Sequence, residues 1–515
     1  MRDGSRLMGE ATAFLALFLD NLGVLVFMSS ILMFTFNFPA DIIFGRMVPG
    51  TAMGVLFGDL VYTWLAIRLR RKTGRTDVTA MPLGLDTPST FGMAYAVIGP
   101  AYIATKDAVL TWHIGMCTLF MIGVVKVVTS FLGGWIQRVI PTAGLLGSIA
   151  GVGLLLLGFL PLVEIFSEIV AGMVALGLIF AVLLGRLELP GRMPGVLLAV
   201  LLGTAIHFFL GWAGWIPEFK APVIQVSLSI PALSADFLRD LPRALQYLPI
   251  AIPFGILTIV GGINNTESAR LAGDDYRTRD ILLTEALTSL VASFFGGIDQ
   301  TTPYIGHPAY KKMGATYWYT LLTGLLVGAS ALFGVLSLVV SLIPRAVLAP
   351  VFMFIGFEIV RQAYRESPPE HSPAVSFSFL PVVASLVMII LAQFLGAAGI
   401  TPDKLPARLA AMLQALTVLS NGFIMTALLW GGMMAFVIDR RPRLAGLYAL
   451  VCAALTLFGI IHSVLPSGEV YLPWHAPSSA PCTIALGYAL LAAVFLLLKH
   501  PPVPPFGPDQ VKHRT

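Results

Sequence analysis

The chain has 515 residues, of which 57% are hydrophobic and only 11% are charged. Soluble domains carry about 25% charged residues, so this composition excludes a soluble globular protein and indicates an integral membrane protein. The net charge of +5 comes mostly from lysines and arginines between apolar runs, which reports orientation in a membrane and not nucleic-acid binding. Three scattered cysteines exclude a disulfide framework or a cysteine metal site.

Apolar runs of roughly 18 to 25 residues, the length that crosses a bilayer, recur along the whole chain. Together with two interrupted segments near 81–103 and 299–314, they predict an all-α polytopic protein with about 14–16 spans. The runs lie near 12–35, 48–69, 108–133, 142–164, 166–186, 194–216, 246–262, 280–297, 317–342, 346–362, 374–397, 410–437, 444–463 and 482–498.

The two interrupted segments are the third segments of the two halves of the chain. Each combines two nearby prolines with glycines, hydroxyl groups and an ionisable residue, as in MPLGLDTPSTFG (81–92) and DQTTPYIGHPAY (299–310). Irregular backbone inside a bilayer is tolerated only where it is buried in protein or lines a cavity. Transporter sites are commonly built from such segments in matching positions of two repeats. The pattern predicts a secondary transporter whose site is built from these two broken segments.

The longest non-apolar break divides the chain near its middle. Seven crossings precede it, so the second half starts with the opposite orientation, which is the geometry of an inverted repeat. Basic clusters such as 68–75 and 440–443 predict an inner-membrane protein with both termini in the cytoplasm. The expected units are a first repeat 1–217, an external loop 218–245, a second repeat 246–465, and an extra span with a cytoplasmic tail, 466–515.

Isolated ionisable and amide residues within spans are costly and are therefore candidate functional groups. For Asp59 a structural role in satisfying a neighbouring helix stays open, and for Glu267 an interfacial position at the start of a charged loop. Lys126 is expected to be an interfacial side chain that reaches the headgroups. The candidates for substrate binding are Asp86, Thr87, Asn264, Asn265, Glu267, Thr302 and Tyr304, and those for ion or proton coupling are Asp20, Asp59 and His307.

Three stretches carry a family resemblance: 284–326 with the threonine-rich TTPY, MPLGLDTPSTFGMAY from Met81, and NGFIMTALLWGGMMAFVIDRRPR from Asn421. They resemble the nucleobase–ascorbate transporter superfamily, the xanthine/uracil permeases, and its adenine/guanine branch above all. The resemblance covers most of the chain to about residue 465. It departs from the family at Gly261 and Gly306, where many members place glutamates.

The resemblance implies a seven-plus-seven inverted repeat with two short broken strand–helix segments, and a core (12–133 and 246–342) and a gate (142–217 and 346–465). The core moves against the gate in an elevator-type motion that carries a nucleobase-like solute. It also implies proton or sodium coupling and a homodimer. An alternative on the same architecture is a carrier of a small anion such as sulfate, bicarbonate or a dicarboxylate, because the missing glutamates suit an anionic solute. No cofactor, metal or enzymatic activity is expected, since neither a metal-ligand spacing nor a supported nucleophile motif is present. A channel is disfavoured because no filter sequence repeats.

Overall fold

The structure is a computed structural model that describes residues 2–132, 139–187, 195–216, 219, 228–304 and 306–498. Most of the first part of the external loop predicted at 218–245, and the predicted cytoplasmic tail from residue 499, lie outside the described residues.

The described chain is predominantly helical, which confirms the predicted all-α class. Five stretches are wound as π-helix, and the one at Met93–Ile98 joins α4 to α5 in one continuous helical segment. The helices are α1 (Arg2–Ser30), α2 (Ala40–Ile42), α3 (Val48–Thr73), α4 (Thr87–Gly92), α5 (Gly99–Thr105), α6 (Ala108–Ser130), α7 (Thr142–Leu154), α8 (Leu160–Ser167), α9 (Ile169–Ile179), α10 (Gly195–Trp212), α11 (Leu241–Ala244), α12 (Leu248–Leu271), α13 (Thr278–Phe294), α14 (His307–Lys312), α15 (Trp318–Leu332), α16 (Val335–Leu342), α17 (Arg345–Glu366), α18 (Ser372–Phe377), α19 (Leu380–Ala398), α20 (Ala407–Ser420), α21 (Phe423–Ile438), α22 (Pro442–Leu457) and α23 (Ala480–Leu497).

Nine helices of the described chain are long and apolar enough to cross a membrane, and the number rises to eleven if each of two bent pairs counts as one span. The bent pairs are α15 with α16, at 72°, and α20 with α21, at 74°. The predicted number of 14–16 is higher because it also counted the two broken segments and two apolar helices that are shorter, Ile169–Leu184 and Pro442–Leu457. The protein is a multi-pass membrane protein.

Both predicted broken segments contain a three-residue strand followed by a helix. Strand β1 (Leu83–Leu85) pairs antiparallel with β2 (Thr301–Pro303), so that Gly84 lies opposite Thr302. This is the one sheet among the described residues. β1 leads into α4 and β2 leads towards α14, which confirms the predicted strand–helix segments.

Two groups of helices follow from the packing. The strand pair is surrounded by α1, α3, α6, α12, α13 and α15, which contact one another and belong to the first spans of each half. A second group contains α7 to α10 and α17 to α21. The two groups meet where α12 packs against α21 and where α4 packs against α7. These groups are the core and gate of the predicted fold.

Close backbone packing holds the core together next to β2. A Cβ atom added to Gly50 of α3 would lie 2.2 Å from the backbone nitrogen of Gly297, and one added to Gly297 would lie 2.7 Å from the nitrogen of Thr51. The Thr51 hydroxyl accepts a hydrogen bond from the Ile298 amide at 3.2 Å. Glycine at both positions therefore lets the chain entering β2 lie directly against α3.

Candidate functional site

The side chain of Asn21 on α1 fixes β1 in place. Its Oδ1 atom accepts a hydrogen bond from the Leu85 amide at 3.0 Å. Its Nδ2 atom donates to the carbonyl oxygens of Leu17, at 3.0 Å, and Leu83, at 3.4 Å. Because a three-residue strand with one partner leaves backbone groups unpaired, this amide supplies bonds that a second neighbouring strand would otherwise make.

Asp86 lies at the point where β1 ends and α4 begins. Its carboxylate accepts a hydrogen bond from the Ser89 amide at 3.0 Å, which makes it the N-cap of the helix. The Gln300 side chain donates to the same carboxylate at 3.4 Å, while the Asp86 amide donates to the Gln300 carbonyl at 3.0 Å. Asp86 thus links the end of one broken segment to the start of the other.

A fully buried ion pair lies behind the strand pair. Nζ of Lys126 on α6 is 2.9 Å from Oε1 of Glu285 on α13, and neither side chain is exposed. The same ammonium donates a hydrogen bond to the Thr301 carbonyl of β2 at 2.8 Å. Gly262 of α12 leaves the space for the carboxylate, since a Cβ there would lie 2.8 Å from its Oε2 atom. The expectation that Lys126 is an interfacial side chain is wrong, because a buried counter-charge holds its ammonium in the interior.

Polar groups with partial or full exposure line the other face of the strand pair. Thr87 and Thr302 are partly buried, and the partly buried Tyr304 donates its hydroxyl to the Leu85 carbonyl at 3.0 Å. The exposed Asp20 of α1 interacts with the Tyr304 hydroxyl. Gly84 makes room for the tyrosine ring, because a Cβ at Gly84 would lie 2.2 Å from its Cζ and hydroxyl oxygen atoms.

Two carboxyl groups of the core are fully buried and accept no hydrogen bond from any described residue. They belong to Asp59 on α3 and Asp299, two residues before β2. Asp59 packs against α15, where a Cβ at Gly324 would lie 2.8 Å from its own Cβ. An ionised carboxylate without a partner is very costly in such an interior, so both groups are expected to be neutral.

A cluster of charged residues ties both broken segments together at one end of the core. The buried Asp274, in the turn between α12 and α13, contacts Lys311 Nζ at 2.6 Å, His307 Nε2 at 3.3 Å and Arg75 at 3.3 Å. It also accepts a hydrogen bond from the Thr79 amide at 3.1 Å. Burial raises the pKa of Asp274, but the hydrogen bonds from His307, Lys311 and Thr79 outweigh it, and the pKa lies below its usual value.

The structure brings together most of the predicted substrate-binding residues. Asp86, Thr87, Thr302 and Tyr304 lie at the strand pair, as described above. Asn265 lies beside it, with its Nδ2 atom 2.5 Å from the Pro303 carbonyl.

Two predicted substrate-binding residues lie away from the strand pair, on the exposed side of α12. Glu267 is exposed and forms an ion pair with Arg270 at 2.5 Å, one turn along the same helix, and Asn264 is exposed on that helix. Of the predicted coupling residues, Asp20 lies at the strand pair, Asp59 is buried against α15, and His307 belongs to the Asp274 cluster. Their roles stay predictions.

Three polar residues of the site were not predicted. Glu285 and Asp299 stand in segments 280–297 and 299–314, which were interpreted as an apolar helix and as a proline-broken loop. Gln300 is a neutral amide whose side chain bonds the Thr258 hydroxyl and the Asp86 carboxylate, both distant in sequence. The rule that any intramembrane acid is a functional candidate would have selected Glu285 and Asp299 from the sequence.

Comparisons with known proteins agree on the fold. No protein-family model matches the sequence, and no curated protein matches it. Among solved structures, the transmembrane domain of a cyanobacterium bicarbonate transporter, BicA, matches with a TM-score of 0.51 and 17% identity, over 76% of this chain and 96% of that one. The overall structure of SLC26A9 matches with a TM-score of 0.51 and 14% identity, over 74% of this chain and 65% of that one.

The chain has the fold of these transporters. The expected membership of the nucleobase–ascorbate superfamily is wrong, because the matched structures are a bicarbonate transporter and SLC26A9 and point away from the nucleobase branch. The error has a physical origin. Paired prolines, glycines and a threonine-rich strand are required by the broken strand–helix segments, which both groups of proteins share, so these residues indicate the fold and not the solute.

Proposed function

We propose that the protein is a secondary carrier of a small anion such as bicarbonate, sulfate or a dicarboxylate. The observation that carries this proposal is the strand pair of the two broken segments, which holds the partly buried hydroxyl side chains of Thr87, directly after β1, and Thr302, on β2. The helical segment that starts at Thr87 adds a partial positive charge at its N-terminus, directly after β1. The likeness in fold to a bicarbonate transporter supports the same class of solute.

The charges around the strand pair add a condition to this proposal. Glu285 neutralises Lys126, and the ionised forms of Asp86 and Asp20 would both repel an anion. An anion is therefore expected to bind together with a cation, and a proton is the simplest one because carboxyl groups already stand at the site. We propose proton-coupled symport by alternating access, in a cell membrane with both termini cytoplasmic, and a homodimeric assembly.

Uptake into proteoliposomes tests the proposal. Purified protein is reconstituted and preloaded with unlabelled bicarbonate, sulfate or succinate, and counterflow of the same labelled anion is measured. Saturable counterflow of one of these anions is the expected result and excludes a channel. The controls are proteoliposomes without preloaded anion and preloaded liposomes without protein.

Substitutions at the strand pair then connect the flux to the site. Thr87→Val and Thr302→Val each remove a hydroxyl that lines the pair and are expected to raise the KM for the anion. Thr12→Val is the matched control, because its exposed hydroxyl only bonds the Met8 carbonyl within α1. Absence of counterflow for every anion, in protein that remains folded, would contradict the proposed function.

A further inference from the structure

The fully buried Asp299 has an unusual position in the core. It stands between two residues whose backbones are fixed. The Ile298 amide donates to the Thr51 hydroxyl at 3.2 Å, and the Gln300 carbonyl accepts from the Asp86 amide at 3.0 Å. The backbone on both sides of Asp299 is therefore held against α3 and against the end of β1.

The Asp299 carboxyl lacks the partners that its neighbour has. Both Asp299 oxygens are buried and accept no hydrogen bond from the described residues, whereas Asp86 accepts bonds from Ser89 and Gln300. Gln300, the residue after Asp299, donates to the Asp86 carboxylate at 3.4 Å, so the two acids lie in the same part of the core. An ionised Asp299 would have no hydrogen-bond donor among the described residues, so Asp299 is expected to hold a proton.

We propose that Asp299 is the binding site of the coupling proton. The proton is held on a carboxyl oxygen while the strand pair is closed and the anion is bound. It is released to water when the pair opens on the other side of the membrane, and the anion leaves with it. The inference deepens the proposed anion transport and rests on it.

The fully buried Asp59 provides a matched comparison. It is also an acid without a hydrogen-bond partner in the described core, but it lies at the packed contact between α3 and α15 and not between the strands. A protonated carboxyl at Asp59 needs no exchange with water during transport. The Asp59→Asn variant is thus expected to leave proton coupling unchanged, contrary to the coupling role that the sequence predicts for Asp59, while Asp299→Asn mimics a permanently protonated site.

Sulfate flux in proteoliposomes is the test, with bicarbonate or succinate in its place if the counterflow panel selects one of them. In the wild type an acidic exterior should accelerate uptake into liposomes of neutral interior. Asp299→Asn should retain counterflow and lose the acceleration, and Asp59→Asn should retain both. Acceleration that persists in Asp299→Asn, or that is lost in Asp59→Asn, overturns the assignment.

A second measurement covers a variant that binds but does not transport. The rise of Tm that the anion causes in detergent is recorded from about pH 5 to about pH 8, because proteins are usually most stable in this range. In the wild type the rise should shrink as the pH increases, and in Asp299→Asn it should be independent of pH. A pH-dependent rise in Asp299→Asn overturns the inference. Wild-type counterflow that does not depend on the pH gradient also overturns the inference on Asp299, but it leaves the proposed anion transport intact. Absence of counterflow for every anion contradicts the proposed function itself.

Discussion

Lys126 and Glu285, which are 159 positions apart on α6 and α13, form an ion pair of 2.9 Å in which neither side chain is exposed. Removal of one member leaves the other charge unpaired in the interior. Lys126→Met and Glu285→Leu are each expected to lower the free energy of unfolding by about 3–5 kcal/mol. The double variant should recover most of this loss, because apolar side chains of similar volume replace the pair.

Thermal unfolding in detergent measures these differences. The matched control is Glu267→Leu with Arg270→Met, an exposed pair of residues on α12 that should leave Tm nearly unchanged. A double variant of the buried pair that is less stable than both single variants would contradict the account.

The second prediction concerns the amide that holds β1. Asn21→Leu keeps the number and branching of the side-chain heavy atoms but leaves the buried Leu85 amide without an acceptor, which costs about 1–3 kcal/mol. We expect a lower Tm, and weaker anion binding because the strand is less well fixed. Thr12→Val on the same helix is the control, and equal Tm values for the two variants would disprove the role of Asn21.

The third prediction uses the contact between Gly84 and Tyr304. A methyl group at Gly84 would overlap the tyrosine ring, so Gly84→Ala is expected to cost about 1–3 kcal/mol and to displace Tyr304 from the Leu85 carbonyl. Gly261→Ala is the control, since a Cβ at Gly261 meets no atom within 4 Å. The Tyr304→Leu substitution should restore the stability of Gly84→Ala, and failure to do so would place the strain elsewhere.

The fourth prediction concerns pH and the Asp274 cluster. The pKa of Asp274 is lowered in the folded state from its ordinary value of 3.8, so its contribution to stability is fully present above this value. The contribution is lost as the pH falls from about 4 through the lower folded-state pKa. Tm measured against pH should therefore show Asp274→Asn well below the wild type at pH 7, with the gap closing in strong acid. A gap that stays constant down to the lowest pH at which the protein remains soluble would refute the assignment.

The sequence was sufficient to predict the fold because its signals are local. Closely spaced prolines with glycines, as around Pro82 and Pro303, disfavour a continuous helix, and long runs of apolar residues favour membrane spans. Asp86 could be found for the same reason, as an acid between Pro82 and Pro88 in such a segment. These signals identify the strand–helix segments before any tertiary contact is known.

The rest of the site depends on contacts between distant parts of the chain. Whether Lys126 reaches water or a counter-charge is decided by α13, and a single sequence holds no record of that contact. Glu267 shows the reverse case, because Arg270, three residues later, provides an exposed helical partner that accounts for the acid without a substrate. The solute was misassigned because the residues that shape a broken segment do not identify the molecule that it holds.

The strand pair has one strand from each side of the segment that divides the chain. A fragment ending in that segment would hold β1 alone, with its backbone donors and acceptors facing hydrocarbon, and the remaining fragment would hold β2 in the same condition. Neither fragment can form the strand pair alone, but each contains the strand with which the other would pair. Two separately expressed halves should therefore recombine into one functional carrier, whereas either half produced alone should be degraded.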